Sequence, residues 1–295
     1  MGNERLDRKA VANVASSRLF YRSVSRCLPI TLLLSGVVAA RDVATRSSIA
    51  PALYGTALPN GYISTFAGSG SSTYGGDGGA ATSAGMRDPV DAVSDAAGNV
   101  FVTDSLADVV RKIDTSGNIS LFAGTVNSAG FSGDGGPATS AQLQSPKGLA
   151  IAADGSVYIA DFSNARIRRV SPSGTITTVA GSGWSDVNGG DGDGGAATSA
   201  KLNPFGLAFD GAGNLYVSDW YASRVRKIDT SGVISTVAGS GSPSGAGYSG
   251  DGGSATSAQL NNPRGIAVDG ASNLYIADTS NDVVRNWAVE QRDRA

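Results

Sequence analysis

The chain has 295 residues, with 23 Lys and Arg against 25 Asp and Glu, and no His. Without an imidazole there is no Ser-His-Asp triad and no His-held zinc site, and the commonest general base is missing. The charge is divided along the chain. Residues 1–40 hold six basic side chains against Glu4 and Asp7, which leaves 17 basic and 23 acidic residues for the rest. An acidic body argues against a nucleic-acid footprint, so no nucleic-acid partner is expected.

The first segment, 1–40, reads as a signal peptide or targeting segment. Arg5, Arg8, Lys9, Arg18, Arg22 and Arg26 precede an apolar run, Leu28 to Ala40, too short for a comfortable membrane span and right for a signal core. Val38-Ala39-Ala40 offers small residues for cleavage, and a secreted or extracytoplasmic product is expected. The long basic stretch keeps two alternatives open: an uncleaved signal anchor, the one expected route to a membrane, and an organellar transit peptide. Cys27 is the single cysteine, so no disulfide framework is available. Residues 41–60 read as a linker, 61–289 as the folded array and 290–295 as a tail.

The array is a four-fold repeat. Asp104 and Arg111, Asp161 and Arg168, Asp219 and Arg226, and Asp278 and Arg285 stand seven apart, and the pairs recur every 57 to 59 residues. A period this long with strand-like content indicates a propeller or an array. The third copy shows the plan. An apolar run follows Pro204 and a turn at Gly211-Ala212-Gly213-Asn214. Leu215 to Asp219 is rich in β-branched and aromatic residues, and Ser223 to Ile228 alternates as a half-buried strand does. The tight turn Asp229-Thr230-Ser231-Gly232 leads to a fourth strand, Val233 to Gly239. Four short antiparallel strands are the content of one propeller blade, so the fold class expected is all-β. The fourth copy supplies three strands and no fourth, whereas Gly61 to Gly68 reads as a fourth strand with no first three. Pairing that orphan with the last blade would close a four-bladed ring and remove two edges. The alternative is an arc of a larger ring, completed by a second chain or lost through a truncated reading frame.

Between copies run long connections carrying Gly76-Asp77-Gly78-Gly79, Gly133-Asp134-Gly135-Gly136, Gly192-Asp193-Gly194-Gly195 and Gly250-Asp251-Gly252-Gly253, each followed by an Ala-Thr-Ser-Ala turn. These could bind Ca²⁺ through Asp191 and Asp193, although no later bidentate Glu follows. The simpler reading has the Asp capping a turn and the Gly supplying positive φ.

The Pro-x-Gly-[Ile/Leu]-Ala start, the Gly-Asn-Leu-Tyr-[Ile/Val]-[Ala/Ser]-Asp strand and the [Val/Ile]-Arg-[Lys/Arg]-[Ile/Val] strand resemble the NHL-repeat family over about residues 61–288. The Gly-Asp-Gly-Gly connection is similar to the extended variant of the teneurin propeller. The resemblance implies a β-propeller used as a binding platform. Six blades are common in that family, against four copies here. Amidating lyases share the propeller, but their metal chemistry leans on His.

The Asp–Arg pairs have two readings: a half-buried structural ion pair, or four Arg lining a channel for an anion. Sameness in all four copies favours the structural one. A site must break the repeat. Strand alternation puts the strand two-to-three loops and the long connections on one face, where loops on a rigid scaffold carry recognition. There Trp184, Trp220 and Tyr221 depart from the repeat, and Phe162 is a large apolar loop residue, whereas Tyr74, Phe131 and Tyr248 occupy corresponding places and read as loop anchors. Exposed aromatics near Arg suit interface hot spots and sugar stacking. The function expected is a non-catalytic scaffold that recognises a protein or glycan through this face, with no catalytic residue and no cofactor. The alternative is a metal-dependent lactonase- or lyase-like enzyme.

Overall fold

The computed structural model describes residues 63–184, 192–241 and 246–288. The leader, the linker, Gly61, Tyr62 and Asp191 lie outside the described residues. Four antiparallel sheets follow one another along the chain, making an all-β, four-blade propeller array. Blade one is β1 (Pro89–Ser94), β2 (Val100–Asp104), β3 (Val109–Ile113) and β4 (Ile119–Ala123). Blade two is β5 (Leu149–Ile151), β6 (Val157–Asp161), β7 (Arg166–Val170) and β8 (Ile176–Ala180). Blade three is β9 (Pro204–Phe209), β10 (Leu215–Asp219), β11 (Arg224–Ile228) and β12 (Ile234–Ala238). Blade four holds three strands, β13 (Ile266–Val268), β14 (Leu274–Asp278) and β15 (Val283–Trp287).

Local chemistry explains the strands. Turns such as Asp210 to Asn214 are closed by the Asp carboxylate, which accepts from the Ala212 and Asn214 amides at 3.0 and 2.8 Å. Each long connection contributes one 3₁₀ turn, Ala81–Ser83 in the first, and none of these turns has a side-chain cap. An Asp cap on these turns is not formed, because the Gly-Asp-Gly-Gly carboxylates are turned to another partner.

That partner is the repeated Arg. Arg111, Arg168 and Arg226 are the largest fully buried side chains among the described residues. Each sits at a bulge, where the pairing of β3 with β4, β7 with β8 and β11 with β12 shifts register. Arg111 donates to Asp77 Oδ1 at 2.7 Å and to the Gly85 carbonyl at 2.8 Å. Arg168 reaches Asp134 at 2.8 Å, Arg226 pairs with Asp193, and Arg285 reaches Asp251 at 2.5 Å. The Asp seven residues before each Arg is a more distant neighbour. Asp161, Asp219 and Asp278 lie 3.4, 3.9 and 3.8 Å away, and Asp104 and Arg111 are not ion-paired. Those four carboxylates are fully buried and also accept from main-chain amides before strand one, as Asp161 does from Gln144 and Asp219 from Asn203, both at 2.8 Å; Asp219 pairs with Arg224 at 3.3 Å as well. The Arg is thus held mainly by the connection, with the nearer Asp a second neighbour.

Three seams hold the blades in sequence. One core cluster joins blades one and two around Leu143 and Ile159, another joins two and three around Leu202 and Val217, and a third joins three and four around Leu260 and Ile276. The inner strands approach so closely at Gly148 that a Cβ there would meet the Phe205 carbonyl at 2.3 Å. The expected pairing of the N-terminal strand with blade four is not made. Residues 63–68 form no strand, and β15 pairs with β14 alone.

Truncating the Arg226 guanidinium would leave the buried Asp219 carboxylate and the Lys201 carbonyl short of a donor and release the half-exposed Asp193, a loss of about 3 kcal/mol or more. Arg226→Ala should therefore lower the melting temperature by many degrees. An unchanged transition in calorimetry would refute the structural role.

Candidate functional site: an aromatic cluster on the long-loop face

The four residues expected to carry recognition come together. Phe162 opens the 3₁₀ turn Phe162–Asn164 behind β6, Trp184 leaves the connection after β8, and Trp220 and Tyr221 form the loop between β10 and β11. The Phe162 ring is the hub. It meets Trp184 at 5.5 Å, Trp220 at 5.7 Å and Phe205 of β9 at 5.8 Å, all edge to face, while Trp220 meets Tyr221 at 6.3 Å. These separations suit the ring quadrupoles. Arg264, from the segment before β13, lays its guanidinium over Phe205 at 5.4 Å. Blades two, three and four therefore all contribute.

Phe205 and Arg264 were not foreseen, and the signal that could have found Phe205 is its place between Pro204 and Gly206, where copies two and four carry Lys147 and Arg264. Copies two and four also place a residue at positive φ before the Pro, Ser145 and Asn262, and copy three has none. The loop behind β10 is an ordinary turn where the other three blades have a 3₁₀ turn. The local fit is incomplete. Asn203 is fully buried with neither side-chain amide atom bonded, and the buried Trp220 Nε1 has no acceptor. Unmatched buried polar groups cost stability.

The cluster has a buried base and an exposed rim. Trp184 and Tyr221 are 47% and 46% exposed, and Phe162, Phe205 and Trp220 are half-buried. The corresponding aromatics of the other connections do different work. Tyr74, Phe131 and Tyr248 lie over Arg111, Arg168 and Arg285 at 4.5, 4.9 and 5.3 Å. They lid the buried cations by cation–π contact, as loop anchors should. The Tyr248 hydroxyl also donates to Asp251 at 2.9 Å, and that bond, followed by Arg285, holds the Asp251 carboxyl below its ordinary range.

The Ca²⁺ candidate meets a competing cation. Asp193 receives Arg226 through one oxygen and the Thr236 amide through the other, at 3.1 Å for the latter. Burial pushes its carboxyl up, and the Thr236 and Arg226 contacts more than reverse this, so it is lowered overall. A carboxylate already satisfied by a guanidinium is a poor cation ligand. Among the described residues no group of three or more His, Cys, Asp or Glu converges.

Asp161, beneath the Phe162 hub, is raised from 3.8 to about 6, chiefly by burial, which the Gln144 amide, Asn164 and Arg168 offset only in part. The folded state holds this proton more tightly than the unfolded chain does. The stability it contributes is therefore present below about pH 4 and lost as pH rises through about 6. Melting followed from pH 4 to 7 should show the wild type losing stability relative to Asp161→Asn across that window. Parallel profiles would contradict the shift.

Blades of this design, with their repeated Asp, Arg and Gly-Asp-Gly-Gly elements, are similar to those of NHL-repeat propellers. The family described as the teneurin NHL domain matches residues 127–189 and 186–246. Human and mouse Teneurin-1 are 33% and 34% identical over 154 residues, which is 48% of this chain and 5% of theirs. The Arabidopsis thaliana protein named SUPPRESSOR OF QUENCHING 1, chloroplastic, is 31% identical over 148 residues, covering 48% of this chain and 14% of that protein. The chain thus spans only a small part of the relatives it matches. Among solved structures, an auxiliary nutrient binding protein from Bacteroides thetaiotaomicron aligns at TM-score 0.48 and 19% identity, over 65% of this chain and 45% of its own. A putative gluconolactonase aligns at 0.47 and 15%, over 69% and 60%. A streptogramin B lyase aligns at 0.44 and 13%, over 69% and 55%.

Proposed function

We propose that this propeller is a non-catalytic, extracytoplasmic binding scaffold that recognises a protein or a glycan through its long-loop face. The observation that carries the reading is the Phe162 cluster, where three blades depart from the repeat to gather five aromatic rings and Arg264. Trp184 and Tyr221 present flat, rigid surface at little conformational cost, and the rings beneath fix their positions. This is the composition of a hot spot. It also suits stacking against the apolar face of a sugar.

The extracytoplasmic setting is supported by the basic and apolar leader of residues 1–40. A chloroplast-directed relative gives the transit-peptide alternative its weight. The non-catalytic reading is supported by the absence of His from the whole sequence and by the engagement of the repeated Asp residues with Arg or with main-chain amides.

The test is a screen of the purified full chain against a glycan array and a display of extracellular protein domains. The hits are then titrated with Trp184→Ala and Tyr221→Ala. Both side chains are half exposed, so the variants should melt near the wild type. The reading predicts a loss of affinity of tenfold or more for each. Unchanged affinity in both, with the fold intact, would remove this face as the recognition surface.

A further inference from the structure

The two ends of the array are complementary. In each complete blade the Ile that opens strand four clasps the Gly-Asp-Gly-Gly connection of its own blade by two main-chain bonds. Gly78 donates to the Ile119 carbonyl at 2.8 Å, and the Ile119 amide donates to the Gly79 carbonyl at 2.9 Å. Gly135, Gly136 and Ile176 repeat this, as do Gly194, Gly195 and Ile234. Among the described residues, blade four has the connection, Gly250 to Gly253, but no strand four to clasp it. The space is an open cleft of about 830 Å³ lined by Gly252, Gly253, Leu260, Val284 and Trp287.

The missing strand stands at the other end. Residues 63–68 read Ile-Ser-Thr-Phe-Ala-Gly, against Ile-Ser-Thr-Val-Ala-Gly for residues 234–239. Their exit is already built as a strand four exits. The Gly68 amide donates to the Ala81 carbonyl and Ser69 to Ala84, as Gly181 does to Ala197 and Ser182 to Ala200, at 2.8 to 2.9 Å. Phe66 packs on the blade that follows it, as Phe122, Val179 and Val237 pack on theirs. Yet Ile63, the counterpart of the clasping Ile, is 98% exposed, and Val284 on the waiting strand is 74% exposed.

We infer that the blade-four edge is completed by residues 63–68 of a second copy of this chain, added to β15 as its fourth strand. The same chain's segment is the less suitable occupant, because the array is held open. No core cluster among the described residues joins blade four to blade one. The inner strand β1 is largely exposed, whereas β5 and β9 are largely buried. The three packed seams fix the turn from blade to blade, and close-packed interiors resist the repacking that a tighter ring would need. Two copies joined reciprocally close one ring of eight blades, within the range propellers adopt, and remove both open edges. The pairing of β11 with β12 supplies the register. Ile234 faces Ile228, Ser235 faces Lys227 and Ala238 faces Val225, so Ile63 faces Trp287, Ser64 faces Asn286 and Ala67 faces Val284. Main-chain bonds then give affinity, and the Trp287 and Leu260 surface receives the incoming side chains.

The test uses the full chain with Cys27→Ser as background. Light scattering should give a dimer, twice the 29.6 kDa chain before any leader cleavage. Ser64 faces the ladder in the proposed register, so Ser64→Pro should shift the population to monomer while far-ultraviolet circular dichroism stays unchanged. Mixing Ser64→Cys chains with Asn286→Cys chains under mild oxidation should yield a disulfide-linked pair, since facing Cα atoms lie about 5.5 Å apart in such a ladder. A monomer in which the double variant Ser64→Cys/Asn286→Cys cross-links within one chain would overturn the inference in favour of a self-closed ring. Absence of cross-linking in every combination would overturn it outright.

Discussion

Three guanidinium groups taken out of water, with a fourth nearly so, set the terms for the rest of this fold. A buried Arg is tolerable only when its donors meet acceptors of matching charge and geometry. Those acceptors are not on the strands beside it. The Asp carboxylate and the carbonyls at Gly75 and Gly85 that hold Arg111 come from the connection preceding its blade. Each connection must therefore be long enough to wrap under the blade, glycine-rich enough to turn tightly, and ended by a short helical turn that brings a second set of carbonyls into range. The 57 to 59 residue period is longer than four strands and three tight turns require, and this clamp accounts for the surplus. The aromatic lids over Arg111, Arg168 and Arg285 belong to the same device.

Much of the blade was legible in the residues. Alternation in Val225-Arg226-Lys227-Ile228, the Asp-x-x-Gly turns and the β-branched runs each depend on local backbone chemistry, and local chemistry is what a sequence records. The acceptor of the Arg was less so. Every copy offers two Asp residues, one seven positions before the Arg and one 33 or 34 positions before it, and periodicity cannot say which carboxylate the side chain reaches. The nearer Asp is spent on amides before strand one, which only the folded path of that segment reveals. Phe205 and Arg264 stayed hidden because their Pro-x-Gly position reads as the start of a strand, and only the fold brings it beside the loop aromatics. The destination of residues 63–68 was legible as a strand and not as a pairing, because ring closure is set by the blade-to-blade angle and not by the strand itself.

The same physics separates scaffold from site. Where the repeat is kept, aromatics cover cations. Where it is broken, around Trp220 and Tyr221, aromatic rings collect at the surface. The clamp supplies what such a site needs, a rigid base under an adaptable loop.

The central claim is that the connection carboxylate, not the nearer Asp, is the principal partner of the buried Arg. A double-mutant cycle on Arg168 and Asp134, set beside the cycle on Arg168 and Asp161, measures this directly by denaturant unfolding. The account predicts a coupling of about 1.5 kcal/mol or more for the Asp134 pair, and a smaller one for Asp161. A larger coupling to Asp161, with Asp134 near zero, would contradict it.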